Sequence, residues 1–306
     1  MKWHLKRESG MLSFSLCGVA ATYLCVALLL AQSGGITTKD QKTKTTMDTA
    51  LKALGGADKI GDVKSLILKG TERSPGGMVM PNGTISKPSE PREFEILILL
   101  PNSFVRIRNG AKIEIIDGVS QGKLTPPRPP SSTQTQTMID GKIVQTKPMS
   151  PEMIERVNKN NAIINNYDTN NILDKWSLLL IGTLMKAGSS TLTLSSGTTE
   201  NIFILTKNDS MLGENEFDSK TGYPSAIKYK IPEQPTLDGA MRIGGTSNKN
   251  ENDMRFQERF SVNGIMFPKI ITITEWGTTM PRTNEFTIKE VQINPKLSLK
   301  DFEFER

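Results

Sequence analysis

The sequence predicts a mainly β protein with helices, an α+β chain in which antiparallel strands build one sheet around a helical segment. Three observations predict this. Short runs rich in Val, Ile, Thr and Phe alternate with polar residues at period two. The pairs Asn109-Gly110, Asp117-Gly118 and Asn263-Gly264 sit between such runs, and each is a signal for a tight hairpin. Residues 150–187 break the pattern with apolar residues at helical spacing. No fixed-period repeat recurs, which disfavours propellers and solenoids.

The chain opens on a basic head with Lys2, Lys6 and Arg7, continues as an apolar run from Met11 to Ala31, and leaves through Gln32-Ser33-Gly34-Gly35. That is the order of an export signal, with cleavage expected near Ala31. The apolar run is long for a signal core, so a single-span anchor to the inner membrane through residues 11–31 stays open beside it. Residues 32–46, rich in Thr and Lys, are expected to be a disordered linker. Residues 47–306 then form one domain. Thr46 or Asp48 is expected to cap a short helix through Leu51 and Leu54, ended by Gly55-Gly56.

Strands follow from Val63 to Thr71. In the run 93–100, Phe94, Ile96 and Ile98 share one face, while the other begins with Glu93 and Glu95 and ends in Leu97 and Leu99. Its second half is therefore apolar on both sides. Further short strands are expected over 103–108, 112–116 and 119–124. The Pro-, Thr- and Gln-rich stretch 125–148 reads as a long surface loop. Ser150-Pro151-Glu152 opens a first helix, and a more apolar second one from about Asn171 to Lys186 carries Trp176, Leu179 and Leu180. Together, residues 150–187 form a helical lid. Strands resume through the last hundred residues. In the final one, Phe286 and Ile288 lie on one phase and Val291 and Ile293 on the other, so a bulge is expected near Lys289-Glu290.

The single histidine and both cysteines, His4, Cys17 and Cys25, all lie in the first 31 residues. An exported protein cut near Ala31 has no Ser-His-Asp triad, no Cys nucleophile, no disulfide and no His or Cys metal ligand. Its formal charge falls from +6 to +4, with Lys and Arg spread along the chain, so no nucleic-acid footprint is visible. Composition therefore points toward binding or transport, with no cofactor.

The stretch Ala53-Leu-Gly-Gly-Ala-Asp-Lys-Ile60, leading into Val63-Lys-Ser-Leu66 and Lys69-Gly70-Thr71, resembles the start of bacterial exported proteins related to the lipoprotein carriers LolA and LolB. Three later stretches resemble them too. These are Phe217-Asp218 with Thr221-Gly222-Tyr223-Pro224, the segment Glu258-Arg259-Phe260 through Val262-Asn263-Gly264 to Phe267-Pro268, and the closing Val291-Gln292-Ile293-Asn294-Pro295. The resemblance implies an incompletely closed antiparallel β-barrel wrapped around a helical lid, with an apolar cavity for acyl chains, in the periplasm. It implies a lipid or acyl-chain ligand, an envelope membrane protein as partner, and a monomer. Its motifs are turn and strand punctuation, and no charged release switch is carried over.

On this reading the cavity candidates are Leu97, Leu99, Trp176, Leu180, Ile204, Ile227 and Ile271, each on an apolar face of a strand or of the lid. Plain core packing is the competing role for each. Twelve of the fourteen methionines lie beyond Ala31, and their adaptable shape suits a lipid pocket as well as it suits gap-filling. The expected function is non-covalent binding or carrying of a lipid or acylated molecule. An envelope sensor on the same scaffold is the alternative. A hydrolase built on the paired carboxylates Glu93 with Glu95 or Glu214 with Glu216 is the third reading, weakened by the lack of sugar-binding aromatic platforms.

Overall fold

The computed structural model describes residues 35–77, 83–101, 103–116, 134–139, 142–148, 150–188, 192–230, 251–276 and 281–302. The export signal or anchor of residues 1–31 lies outside the described residues, as do Asp117-Gly118 and the strand expected over 119–124. No described helix is long and apolar enough to cross a membrane.

From the N-terminus come β1 (Ile36–Thr38), α1 (Gln41–Leu54), α2 (Ala57–Gly61), β2 (Ser65–Arg73), β3 (Arg92–Leu99), β4 (Ser103–Arg108) and β5 (Ala111–Ile116). A separate hairpin, β6 (Gln134–Ile139) and β7 (Lys142–Pro148), precedes the long helix α3 (Pro151–Leu184). Then follow β8 (Leu192–Ser196), β9 (Ile202–Lys207), β10 (Ser210–Phe217), β11 (Pro224–Lys230), β12 (Glu251–Val262), β13 (Ile265–Trp276) and β14 (Pro281–Ile293), and a 3-10 turn, Leu299–Phe302.

Twelve strands form one sheet in the order β1-β8-β9-β10-β11-β12-β13-β14-β2-β3-β4-β5. Each neighbour is antiparallel except β1, which runs parallel to β8. Among the described residues the edges β1 and β5 do not pair with each other, so the barrel is incompletely closed. Its curvature follows from what touches α3. Lys207 of β9 reaches Asp174, and Phe104 of β4 stacks on Trp176, all within one turn of the helix. Those strands stand eight steps apart in the sheet, about 38 Å if it were flat. Only a sheet wrapped around the helix brings both to one turn.

Hairpin chemistry sets the register. Asn109-Gly110 and Asn263-Gly264 all take positive φ, from 49° to 78°, which a type I′ turn requires. The β14 ladder shifts register between Ile288 and Glu290, where the phase change of the apolar residues predicts a bulge. One continuous apolar cluster runs from Leu192 and Leu194 through Phe256 and Ile271 to Leu66, Ile98 and Phe104, and includes the apolar residues between Trp176 and Ala187 and the buried face of α1.

Four expectations are corrected. The polar stretch 32–46 is not all irregular: residues 36–38 pair with β8, and α1 begins at Gln41. Asp40, instead of Thr46 or Asp48, caps α1, accepting hydrogen bonds from Thr43 N at 2.8 Å and Thr43 Oγ1 at 2.7 Å. The stretch 125–148 contains the β6–β7 hairpin, because its Thr and Gln residues are compatible with strands. The lid is one helix of 34 residues, because no Pro or Gly interrupts it between Pro151 and Gly182. Ser150 caps its start by accepting from Met153 N at 3.3 Å, and Met185 ends it in a left-handed conformation.

Candidate ligand-binding cleft

Strand alternation turns Leu68, Phe94, Ile96, Phe286 and Ile288 toward α3, where Trp176 and Leu179 face them. Phe94 and Phe286 meet edge to face, with centroids 5.3 Å apart at 89°. Met254, Ile271 and Ile273 complete the apolar wall. Between wall and helix lies a cleft of about 440 Å³, counted out to its open mouth. Little of it is wide enough to hold even a water molecule. The cleft is a closed seam in this conformation, and a hydrocarbon chain enters it only if α3 shifts.

Arg106 and Lys175 are the cationic lining residues. Arg106 donates to Glu72 at 2.5 Å and its guanidinium sits 5.0 Å from the centroid of Phe286. Arg108 donates to the other oxygen of Glu72, whose side chain is only 5% exposed. Lys175 pairs with Glu275 at 2.7 Å. Arg106 and Arg108 thus share one carboxylate, and Glu114 of β5 stands opposite Arg106 in the ladder. Nε of Arg106 and Nε1 of Trp176 are buried without a hydrogen-bond partner among the described residues.

The lid is fastened elsewhere. Asp174 accepts from Lys207 at 2.5 Å. Arg259 donates to the carbonyls of Gly182 at 3.2 Å and Pro224 at 2.8 Å, with Tyr223 stacked 4.7 Å away. Glu258 takes φ of 45°, so Gln257 and Glu258 both stay exposed and the pleat turns Arg259 inward. Burial pushes the Arg259 guanidinium down to about 10, against the opposing effect of Tyr223, and it remains a cation at neutral pH. Beyond the helix, Lys186 donates to the carbonyls of Ile60, Gly61 and Val63. Burial, countered by Asp62, holds its ammonium below the usual lysine range.

Of the seven residues singled out from sequence, Trp176 and Ile271 line the cleft. Leu180 and Ile227 are fully buried in the core and do not reach it. Leu97 and Leu99 point to the opposite face of the sheet, where they pack with Val105 and with Phe302 of the C-terminal 3-10 turn. This cover explains the two-sided apolar character of β3. Ile204 belongs to the outer phase of β9, since Phe203 and Leu205 are its buried neighbours and Ser195 and Glu214 flank it. Met254 is the one methionine among the cleft's lining residues.

The carboxylate pairs do not converge on the cleft. Glu93 is exposed, Glu95 pairs with Lys69 at 3.2 Å, and Glu214 lies opposite Lys228. Glu95 and Glu214 are thus cross-strand charge pairings on an outer face, and Glu216 lies opposite Ala226 and Ile202. Glu72, Arg106 and Lys175 were not singled out from sequence. The signal for Arg106 was present in β4, where one phase reads Phe104, Arg106, Arg108: two charges on the face that alternation assigns to the core.

No family model matches the chain, and no curated protein matches it significantly. Among solved structures, the chain is similar to a LolA superfamily protein from Nitrosomonas europaea, at 9% identity over 86% of this chain and 97% of that one, with a TM-score of 0.40. It is similar to a DUF1329 family protein from Desulfovibrio piger at 10% identity, over 86% and 98% of the two chains, with a TM-score of 0.41. A putative outer membrane lipoprotein-sorting protein domain from Vibrio parahaemolyticus aligns at 9% identity over 85% and 97%, with a TM-score of 0.37. At such identity, what this chain binds has to be read from its own cleft.

Proposed function

We propose that the protein binds, without covalent chemistry, a lipid or acylated molecule in the bacterial cell envelope, holding a hydrocarbon chain between α3 and the wall around Ile271 and Phe286. The observation that carries this reading is an almost wholly apolar seam between a long helix and a curved sheet, lined by Trp176, Leu179 and Ile288. The driving force is transfer of hydrocarbon out of water, roughly 0.8 kcal/mol per methylene, which needs no catalytic group. Because the seam is closed, α3 swings away as the chain enters and its apolar contacts are exchanged for contacts with the ligand. The order of residues 1–31 supports an exported location, either released into the periplasm or tethered to the inner membrane, and the molecule acts as a monomer with a membrane protein of the envelope as delivery partner.

Native mass spectrometry of the full chain purified from envelope fractions tests this. A copurified lipid, or saturable uptake of an acyl probe by delipidated protein, is the expected result, and Ile271→Phe is expected to weaken uptake by filling the seam. Absence of both copurified lipid and probe uptake overturns the reading.

A further inference from the structure

We propose that the molecule held in the seam ends in an oxyanion, a carboxylate or a phosphate attached to the hydrocarbon chain, and that Arg106 and Trp176 receive it. The inference rests on the lipid-binding reading above and adds the chemistry of the polar end.

Trp176 is 4% exposed, lines the cleft and leaves its indole N–H without an acceptor. Its ring is held in place by Phe104, stacked at 5.5 Å and 14°. Phe104 and Arg106 are alternate residues of β4 and share its inner face, so the stack sets Trp176 next to Arg106. The Arg106 side chain is 12% exposed, and its Nε is likewise buried without a partner. Two donors lining an otherwise greasy seam await acceptors, since buried N–H groups are almost always satisfied.

Charge points the same way. Arg106, 12% exposed, shares the one carboxylate of Glu72 with Arg108. Buried charge is costly unless compensated. A neutral head such as an alcohol supplies an acceptor but no countercharge. An oxyanion accepts from both N–H groups and brings a countercharge to the Arg106 guanidinium, with charge-assisted bonds stronger than neutral ones. Glu72 keeps its own bonds to Arg106 Nη2 and Arg108 Nε, so the Nε donor is free to turn to a ligand.

Displacement of a fluorescent acyl probe from the delipidated full chain, by hexadecanoic acid, hexadecyl phosphate and hexadecanol at pH 8, tests this. The acid or the phosphate is expected to bind at least about tenfold more tightly than the alcohol, and which of the two leads identifies the source of the oxyanion. Arg106→Met is expected to collapse that ratio toward one. Trp176→Phe, which keeps the ring stack and removes only the N–H, is expected to lower it severalfold and serves should Arg106→Met not fold. Equal binding of acid, phosphate and alcohol overturns the oxyanion while leaving the lipid reading intact, as does a preference that survives both variants. Failure of all three to displace, with no probe uptake, overturns the lipid reading itself.

Discussion

A Cβ atom placed on Gly182 of α3 would lie 1.9 Å from Cζ of Phe256 on β12. The lid meets the sheet there through a missing side chain, next to the carbonyl that Arg259 grips. Gly182→Ala gains about 1 kcal/mol of helix propensity but drives a methyl group into a ring that is 5% exposed and has nowhere to swing. Overpacking of this kind costs about 1–3 kcal/mol or more. The variant is therefore expected to be less stable than the wild type in urea unfolding, and the double variant Gly182→Ala/Phe256→Leu is expected to be less destabilised than the two single effects predict. A Gly182→Ala protein more stable than the wild type would show that helix and sheet do not interlock here.

Asp174 and Lys175, adjacent on α3, pair with strands four steps apart in the sheet, Lys207 on β9 and Glu275 on β13. Both pairs are partly exposed, so each is worth about 0.2–1 kcal/mol. If α3 must leave the sheet to admit a chain, both pairs break on the way. Asp174→Asn with Glu275→Gln is expected to speed uptake of an acyl probe roughly two- to tenfold. Added salt is expected to speed uptake in the wild type and to have little effect in the double variant. Stopped-flow fluorescence reads both, and an unchanged rate would mean that the ligand enters by another route.

The hairpins at Asn109-Gly110 and Asn263-Gly264, the bulge in β14 and the helical lid between two strand groups were legible in the sequence because each rests on a local signal: an Asn-Gly turn, a shift of apolar phase, apolar residues at helical spacing. Membership of the cleft was less legible, for two physical reasons. Apolar residues on both phases of β3 mean two covered faces, and nothing local says which faces the lid. The answer came from Phe302, two hundred residues away, which takes Leu97 and Leu99. On β9 the choice between Ile204 and its neighbours Phe203 and Leu205 depended on which phase faced in, and a one-residue error moves a side chain to the opposite face. Arg106 escaped notice because a charge on a core phase looks like a short strand ending. Only the fold brings Glu72, thirty-four residues earlier, beside it.

The same phase assignment separates core from surface energetically. Leu180 and Ile227 are 1% and 0% exposed, within the core that binds lid to sheet. Leu180→Ala and Ile227→Ala are each expected to cost about 2–5 kcal/mol. Ile204→Ala, on the outer face, is expected to cost less than about 1 kcal/mol. Urea unfolding of the three variants checks the ranking, and an Ile204 effect as large as that of Ile227 would place Ile204 on the inner face after all.

Asp40 joins the first helix to the sheet. Besides capping α1, its carboxylate accepts from Ser196 N at 3.1 Å and Ser196 Oγ at 2.9 Å on β8. The hydrogen bond from the Thr43 backbone, followed by those from the Thr43 hydroxyl and Ser196, holds this carboxyl well below the usual carboxylate range. All of these bonds favour the charged form. A carboxyl with a lower pKa in the folded than in the unfolded chain stabilises the fold fully above its unfolded value, about 3.9, and loses that contribution as pH falls toward the folded value. Asp40→Ala is therefore expected to melt below the wild type at neutral pH, with a gap that narrows as the solution is acidified below about pH 4. Asp218, also held below its usual range by the Thr221 backbone and hydroxyl, titrates in both proteins and cancels in the difference. A gap in melting temperature that stays constant from neutral pH to about pH 3 would mean that the neutral acid caps α1 as well as the carboxylate does, and that charge plays no part in holding the N-terminal helix to β8.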